Sequence, residues 1–527
     1  MRLIVKEYIL QLKEKDELDT LLSQIFEEKG YAAVSQPRTG NRQYGVDIQL
    51  HNKEELIFLV IKQGDIDRKV WDGDTNAVRQ SLDEIKDVMI NNLTLRDRSK
   101  RIRIVVASNG HLDESVKLNW NNYVNNNRVW GDLSIEIGFM GIDDIVQEVL
   151  GCFFNEYLFD KKLHSLLRKA LYFIDESTYR RWYYEKIVNS IMENIEKAGG
   201  DRKRFYKLCA TLYLSSQMIA QYAYQEGITR IGIMVSGYVL IRYWKYLAGS
   251  QSLEKGKNVE WLIKFCHSYE KWNDLYWEKA EQVACGDVIL PNYNVAENRV
   301  LLYELLGNLA SYANYLLDFN FQKSMRILNT IVHIMNQYSY YVYPPYDSSI
   351  GVMIMIYRLL NKNGRIDELK LVMKEQCHTL MNYYRLYQRY PAQTDSFDEA
   401  VAIEMNNTSE KYEVSGFWGY CLLLIYRFAD KELYDMLRHF LAEDLKDVCK
   451  CVWFLRSAEE ELFYEPGAMS LAGEGVEVTV EDNYPDFCRK VGFILDQYKE
   501  ERFTFDEYSF SGLETIICHY YEYVPRV

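Results

Sequence analysis

The stretch GVDIQLHNKEELIFLVIKQ, residues 45–63, decides how the first third of this chain folds. Val46 to Leu50 and the strongly apolar Leu56 to Ile61 read as two short strands, close enough in sequence to pair as a hairpin. Successive side chains of a strand alternate between its faces. In such a hairpin Asp47, at the start of the first strand, and Lys62, at the end of the second, face each other near the open end.

Working outward, Glu14 to Lys29 carries Leu18, Leu21, Leu22, Ile25 and Phe26 at helical spacing, with Gly30 placed to cap the C-terminus. Tyr31 to Ser35 reads as a strand and Asn76 to Ile90 as a helix. Ile102 to Ala107 is a β-branched run closed by the turn Ser108-Asn109-Gly110. It has no polar face and is expected at the centre of the sheet. Asp113 to Tyr123 follows as a helix, Leu133 to Phe139 as a strand and Asp143 to Phe153 as a helix. Strands alternating with helices imply an α/β domain with a partly parallel sheet covered on both faces.

Beyond about residue 155 the pattern is helical almost throughout. Val300 to Leu317 pairs with Phe321 to Gln337, Ile350 to Leu360 with Ile366 to Tyr384, and Gly416 to Phe428 with Lys431 to Phe440. The spacing resembles tetratricopeptide hairpins, with loosely matching motif positions. Val476 to Val480 is the one strand-like interruption, and Asn336 to Ser349, with Pro344-Pro345, marks an internal break. The expected domains are residues 1–154, 155–340 and 341–527.

The bulk numbers restrict the function. The 527 residues carry a formal net charge of -14, which argues against a protein that coats nucleic acid by bulk charge. The ten Cys form no CxxC pair, and the CxC at Cys449 and Cys451 is a weak zinc signal, so buried free thiols in a reducing compartment are expected. The start, MRLIVKEYILQLKEKDE, is too short in its apolar part and too charged to read as a secretory signal, and the longest apolar run, near Ile231 to Ile241, falls short of a membrane span. A cytoplasmic location and no membrane contact are expected.

Three features of the first domain converge chemically: Asp47 where its strand begins, Lys62 where the next strand ends, and Asp19 on the helix before both. Carboxylates hold Mg²⁺ through hard oxygens. The metal polarises a phosphate and acidifies the attacking water. A neighbouring lysine orients that water and balances charge.

Here the chain resembles a known family. Leu18-Asp19, then Gly30-Tyr31, Gly45-Val46-Asp47 and an apolar strand ending in Lys62 look like the Mrr-like branch of the PD-(D/E)XK nucleases. The helix containing Asn76-Ala77-Val78-Arg79-Gln80 sits where that branch places its next helix. The resemblance covers about 150 residues. It implies a restriction-endonuclease-like domain followed by a large all-α region, and a DNA endonuclease using Mg²⁺ or Mn²⁺. It further implies an effector of bacterial anti-phage defence, regulated by its helical region through a homo-oligomer or a partner protein. Asp19 and Asp47 would bind metal, Lys62 would position the water, and Gln80 or Glu84 would complete the site.

One departure stands out. Two positions before the lysine, where the family has Glu or Gln, this chain has Val60, which cannot ligate metal. Either the acid has moved to Glu84, or Gln63 or Asp65 replaces it, or the domain only binds nucleic acid or protein as a helical scaffold. RNA is a further substrate class. Residues 1–150 hold about 20 basic and about 25 acidic side chains, so DNA contacts must be local. Arg38 and Arg42 flank the loop before Asp47, and Arg101 and Arg103 belong to the densest basic run; these four are the candidate DNA contacts. In the helical region, abundant Tyr suits a partner-binding surface or simply fills the core.

Overall fold

In the computed structural model the hairpin is the heart of a six-stranded mixed sheet. Strand β3 (Glu55–Lys62) buries every side chain from Leu56 to Ile61, so both of its faces are covered. Strand β2 (Ile48–His51) runs antiparallel to it, with Ile48 opposite Leu59 and Leu50 opposite Ile57. Strand β1 (Ala32–Ser35) adds antiparallel to β2. On the other side β4 (Arg101–Ser108) runs parallel to β3, in register from Glu55 beside Arg101 to Lys62 beside Ser108. Strand β6 (Leu133–Met140) continues the parallel half, and β5 (Val129–Trp130) closes the edge. The order is β1-β2-β3-β4-β6-β5. The expected central strand, Ile102 to Ala107, lies within β4, between β3 and β6.

The described residues are 2–35, 44–73, 76–152, 159, 161–174, 181–198, 201–249, 256–284, 295–338, 344–390, 402, 413–454, 474–498 and 512–521.

A parallel pair needs a long crossover. Helices α3 (Arg68–Asp72), α4 (Val78–Glu84, continuing as a wider turn through Ile90) and α5 (Leu95–Arg98) supply it between β3 and β4. Trp71, Val78, Leu82 and Ile85 of this crossover join Phe58, Val60, Ile104 and Val106 in one core, together with Trp120 of α6 (Glu114–Asn126). Elsewhere in this unit α1 (Arg2–Leu10) packs against α7 (Ile142–Cys152), and α2 (Asp19–Glu28) lies against β1, β2 and α7. The helix expected from Glu14 begins at Asp19. Lys15 is extended and Asp16 has φ 66°, so the chain kinks there and only the apolar Leu18 onward winds regularly.

The expected turn Ser108-Asn109-Gly110 locks three segments at the C-terminal end of β3 and β4. Asn109 is fully buried, and its Oδ1 accepts the Gly64 amide at 2.7 Å. Its Nδ2 donates to the carbonyls of Ile9 and Leu12, both at 2.9 Å. A Cβ on Gly110 would lie 2.3 Å from the Gly64 carbonyl carbon, so only glycine lets the two loops touch.

The chain forms two compact units, Met1–Val235 and Ser236–Val527. The first runs past the expected boundary at residue 154. Helices α8 (Lys161–Tyr172), α9 (Trp182–Lys197) and α10 (Arg202–Gln225) pack on one another, and α10 covers α1, with Lys207 paired to Glu17. The boundary falls within α11 (Thr229–Gly249).

The second unit is dominated by helices. Its expected hairpins are present: α13 (Val295–Phe319) with α14 (Phe321–Gln337), α15 (Ile350–Lys362) with α16 (Ile366–Tyr387), and Gly416–Phe428 with Lys431–His439. The unit α12 (Gly256–Ala284) opens runs on without a division near residue 340, because α13 packs on both α14 and α15. The strand expected at Val476 to Val480 is β9 (Glu474–Glu477), and it is not alone. It pairs with β8 (Cys449–Phe454), which pairs in turn with β7 (Val414–Ser415). Among the described residues, no helix is long and apolar enough to cross a membrane.

Asn109→Ala strips partners from a buried amide and two buried carbonyls, each worth roughly 1 kcal/mol or more when left unpaired. The expected result is a loss of about 2–4 kcal/mol of unfolding free energy, read from urea denaturation of the full chain. A change below about 0.5 kcal/mol would mean the lock carries no weight.

Candidate active site

Asp47 is held where β2 leaves the turn before it. Tyr44 and Gly45 both have left-handed backbones, with φ 47° and 79°. A Cβ on Gly45 would sit 2.3 Å from the Ser81 carbonyl oxygen, so helix α4 presses directly on this turn. The Asp47 amide donates to the Leu59 carbonyl at 2.9 Å. Its Oδ2 accepts the Ile61 amide at 2.7 Å, beside the last residues of β3. Burial raises the Asp47 pKa above the usual carboxylate range, opposed by the Ile61 bond and by the nearby positive charge of Lys62. Glu14 pushes it further up and Lys15 pulls it down.

Lys62 ends β3 half-buried, and it makes no ion pair or hydrogen bond with any described residue. The expected pairing of Asp47 with Lys62 is therefore present as a nearby charge, without a direct bond. Glu14 is the carboxylate that the sequence reading passed over. It is half-buried in the kinked turn after α1, and its field reaches Asp47. Backbone strain concentrates here too, since Asp16 and Tyr44 are two of four left-handed non-glycine residues among those described.

The other candidates are placed less favourably. Asp19 is buried in the first turn of α2, where its Oδ1 accepts the Thr20 amide at 2.6 Å. It is not one of the charges acting most strongly on Asp47. Gln80 is exposed, because Val78 and Leu82, each two residues away, turn α4's apolar side to the core. Glu84 is half-buried on the same helix, and neither residue bonds to Asp47 or Lys62. Gln63 and Asp65 are exposed, and Asp65 Oδ1 is taken by the His111 amide at 2.7 Å. Val60 packs in the core with Val78 and Leu82 of α4, so the position where the resemblance expects an acid is buried and apolar.

Arg101 and Arg103 lie at the opposite end of the sheet. The register puts Arg101 beside Glu55, seven residues before Lys62, or about 23 Å along the strand. Both are engaged: Arg101 with Glu136 at 2.7 Å and Glu55 at 3.3 Å, Arg103 with Glu136 at 3.6 Å and Glu55 at 3.7 Å. They cannot share a phosphate with Lys62. Arg38 and Arg42 lie outside the described residues.

A divalent ion finds a limited donor set here. Among the described residues, no three His, Cys, Asp or Glu side chains gather as a metal cage. Asp47 and Glu14 offer two carboxylates near two cations, Lys62 and Lys15. One or two carboxylates are what Mg²⁺ commonly takes when waters and a substrate phosphate complete its shell. In number and type these donors match a shared ion, and they do not make an all-protein cage.

The raised Asp47 pKa fixes the sign of a stability change. The folded state holds this proton more tightly than the unfolded chain does. Ionisation therefore opposes folding, not at all below the unfolded pKa and in full above the folded one. Asp47→Asn keeps an acceptor for the Ile61 amide and removes the charge. In chelator-treated protein it is expected to match the native chain near pH 4 and to gain stability over it towards pH 7, by urea unfolding. A variant that instead loses stability as pH rises would show that the carboxylate is there to hold the fold.

Comparison with protein-family models, with curated proteins and with solved structures finds no match to this chain.

Proposed function

We propose that the chain is a DNA endonuclease dependent on Mg²⁺ or Mn²⁺, whose helical region regulates or targets it. The observation that carries this reading is the placement of Asp47 and Lys62. A half-buried carboxylate with a raised pKa and a lysine with no bonded partner among the described residues come together at the end of a buried strand, with a second acid, Glu14, in range. The topology supports it as well. Three antiparallel strands followed by a parallel one, with helices before and between, is the order a restriction-endonuclease-like core requires.

The chain's own residues have definite tasks on this reading. Asp47, with Glu14 as the second carboxylate, would hold the ion. Once bound, the ion would polarise the phosphodiester and acidify a water. Lys62 would orient that water and offset the charge that builds on the phosphate. Ile61's amide keeps the Asp47 carboxylate pointed while the other oxygen is left for the ion. Gln80 and Glu84 flank the site on α4 and are secondary. Tetratricopeptide-like hairpins in the second unit suit a sensor, an oligomer contact or a docking surface. Cutting both strands of a duplex would need two copies of the site. A role in bacterial anti-phage defence, in the cytoplasm, extends the family resemblance.

A second reading is favoured by Val60. With an apolar side chain in the usual acid position and no three-acid cluster among the described residues, the domain would bind nucleic acid or protein without cutting. Plasmid nicking in Mg²⁺ or Mn²⁺ separates the two. The nuclease reading expects Asp47→Asn and Lys62→Met each to lower nicking by about 10²-fold or more, with Glu14→Gln intermediate. Equal nicking by all four proteins, or none with either metal, leaves only the binding scaffold.

A further inference from the structure

The end of the sheet remote from Asp47 carries a second feature. The β2–β3 hairpin turn and the segment from α5 into β4 enclose an open cleft of about 700 Å³. Its lining includes His51, Lys53, Glu54, Arg96, Ser99 and Lys100. Three cations thus face one carboxylate, in a chain whose net charge is -14.

The cations differ in how they are answered. Lys100 is nearly buried and lies 3.1 Å from Asp97. Lys53 and Arg96 have no described carboxylate within ion-pairing distance, 4.0 Å. His51 donates its Nδ1–H to the Ala32 carbonyl at 3.1 Å, so its neutral ring offers Nε2 only as an acceptor. Two cations with no described carboxylate partner, side by side on a concave wall, are groups that receive a phosphate.

Size and surroundings decide what kind of phosphate. The volume lies in the range of small-molecule sites, about 300–1,000 Å³. A nucleic-acid track would need the basic surface to continue beyond the cleft. Along the adjoining groove most cations are already answered: Arg98 is paired with Asp132 at 3.5 Å, Arg101 and Arg103 with Glu55 and Glu136, and Arg128 bonds Asn125 Oδ1 at 2.8 Å. A polyanion leaving the cleft would meet cations most of which are paired with carboxylates. We infer that this cleft binds a small phosphate-bearing ligand of nucleotide size, about 23 Å along β3 from Lys62. The inference does not depend on the nuclease reading.

Calorimetric titration of the full chain with pyrophosphate, with ADP and with a short DNA duplex, all in EDTA, tests it. Saturable binding of pyrophosphate or ADP is expected. Lys53→Glu and Arg96→Glu should each weaken it at least about tenfold, and raising salt from about 50 to about 200 mM should weaken it further, while Lys62→Ala leaves it unchanged. Should either reversal fail to fold by circular dichroism, Lys53→Gln and Arg96→Gln take its place. No saturation by either small phosphate at millimolar concentration overturns the inference. So does binding that survives the substitutions, or that disappears with Lys62→Ala. Duplex binding that depends on Lys53 and Arg96 while ADP does not bind overturns it in favour of a nucleic-acid surface.

Discussion

The candidate site depends on one hydrogen bond: the Ile61 amide donating to the carboxylate of Asp47. β3 is buried on both faces from Leu56 to Ile61, so Lys62 is the first polar side chain after that run. The bond pins a carboxylate beside that exit. Its energetics are unusual for a structural contact, because burial makes the ionised acid unfavourable and the single amide offsets only part of that. A fold that keeps a charged group where a neutral one would sit more comfortably is giving up stability, and such positions concentrate at functional sites. The kinked turn at Lys15 and Asp16 and the left-handed Tyr44 add backbone strain around the same carboxylate.

Much of the first unit was legible because its signals are local. The alternation in Ile48-Gln49-Leu50, the continuous run in β3 and the β-branched run in β4 each state their strand and its burial. Asp47 and Lys62 were legible for the same reason, since hairpin pairing follows from the two runs being adjacent. Glu14 was not. It appeared to begin a helix, and nothing in Lys13-Glu14-Lys15-Asp16 announces a kink, because no Gly or Pro marks the left-handed Asp16. Arg101 and Arg103 read as free cations because their partners, Glu55 and Glu136, stand on neighbouring strands and only the register joins them.

The helical region shows the same division between local and long-range information. Helix spans followed the apolar periodicity closely, yet the unit boundary did not. The amphipathic faces of α8 to α10 say that something covers them, not that α1 and one another do so. The strand β8 was missed because Cys449-Lys450-Cys451 interrupts its pattern, although Lys450 buries its ammonium against the Leu445 carbonyl. Asp347 is a further long-range case: its carboxylate accepts from Ser415 Oγ and the amides of Gly416 and Phe417, capping a helix some seventy positions away.

Direct binding of Mn²⁺ to the full chain, followed by the loss of the free ion's paramagnetic resonance signal, addresses the centre of this account without relying on turnover. A site at Asp47 should take up the ion in proportion to protein when a short DNA duplex is present, and Asp47→Asn should abolish that uptake while the metal-free thermal transition stays cooperative and no lower than that of the native chain. Uptake that is unchanged by the substitution would contradict the account and place the ion elsewhere.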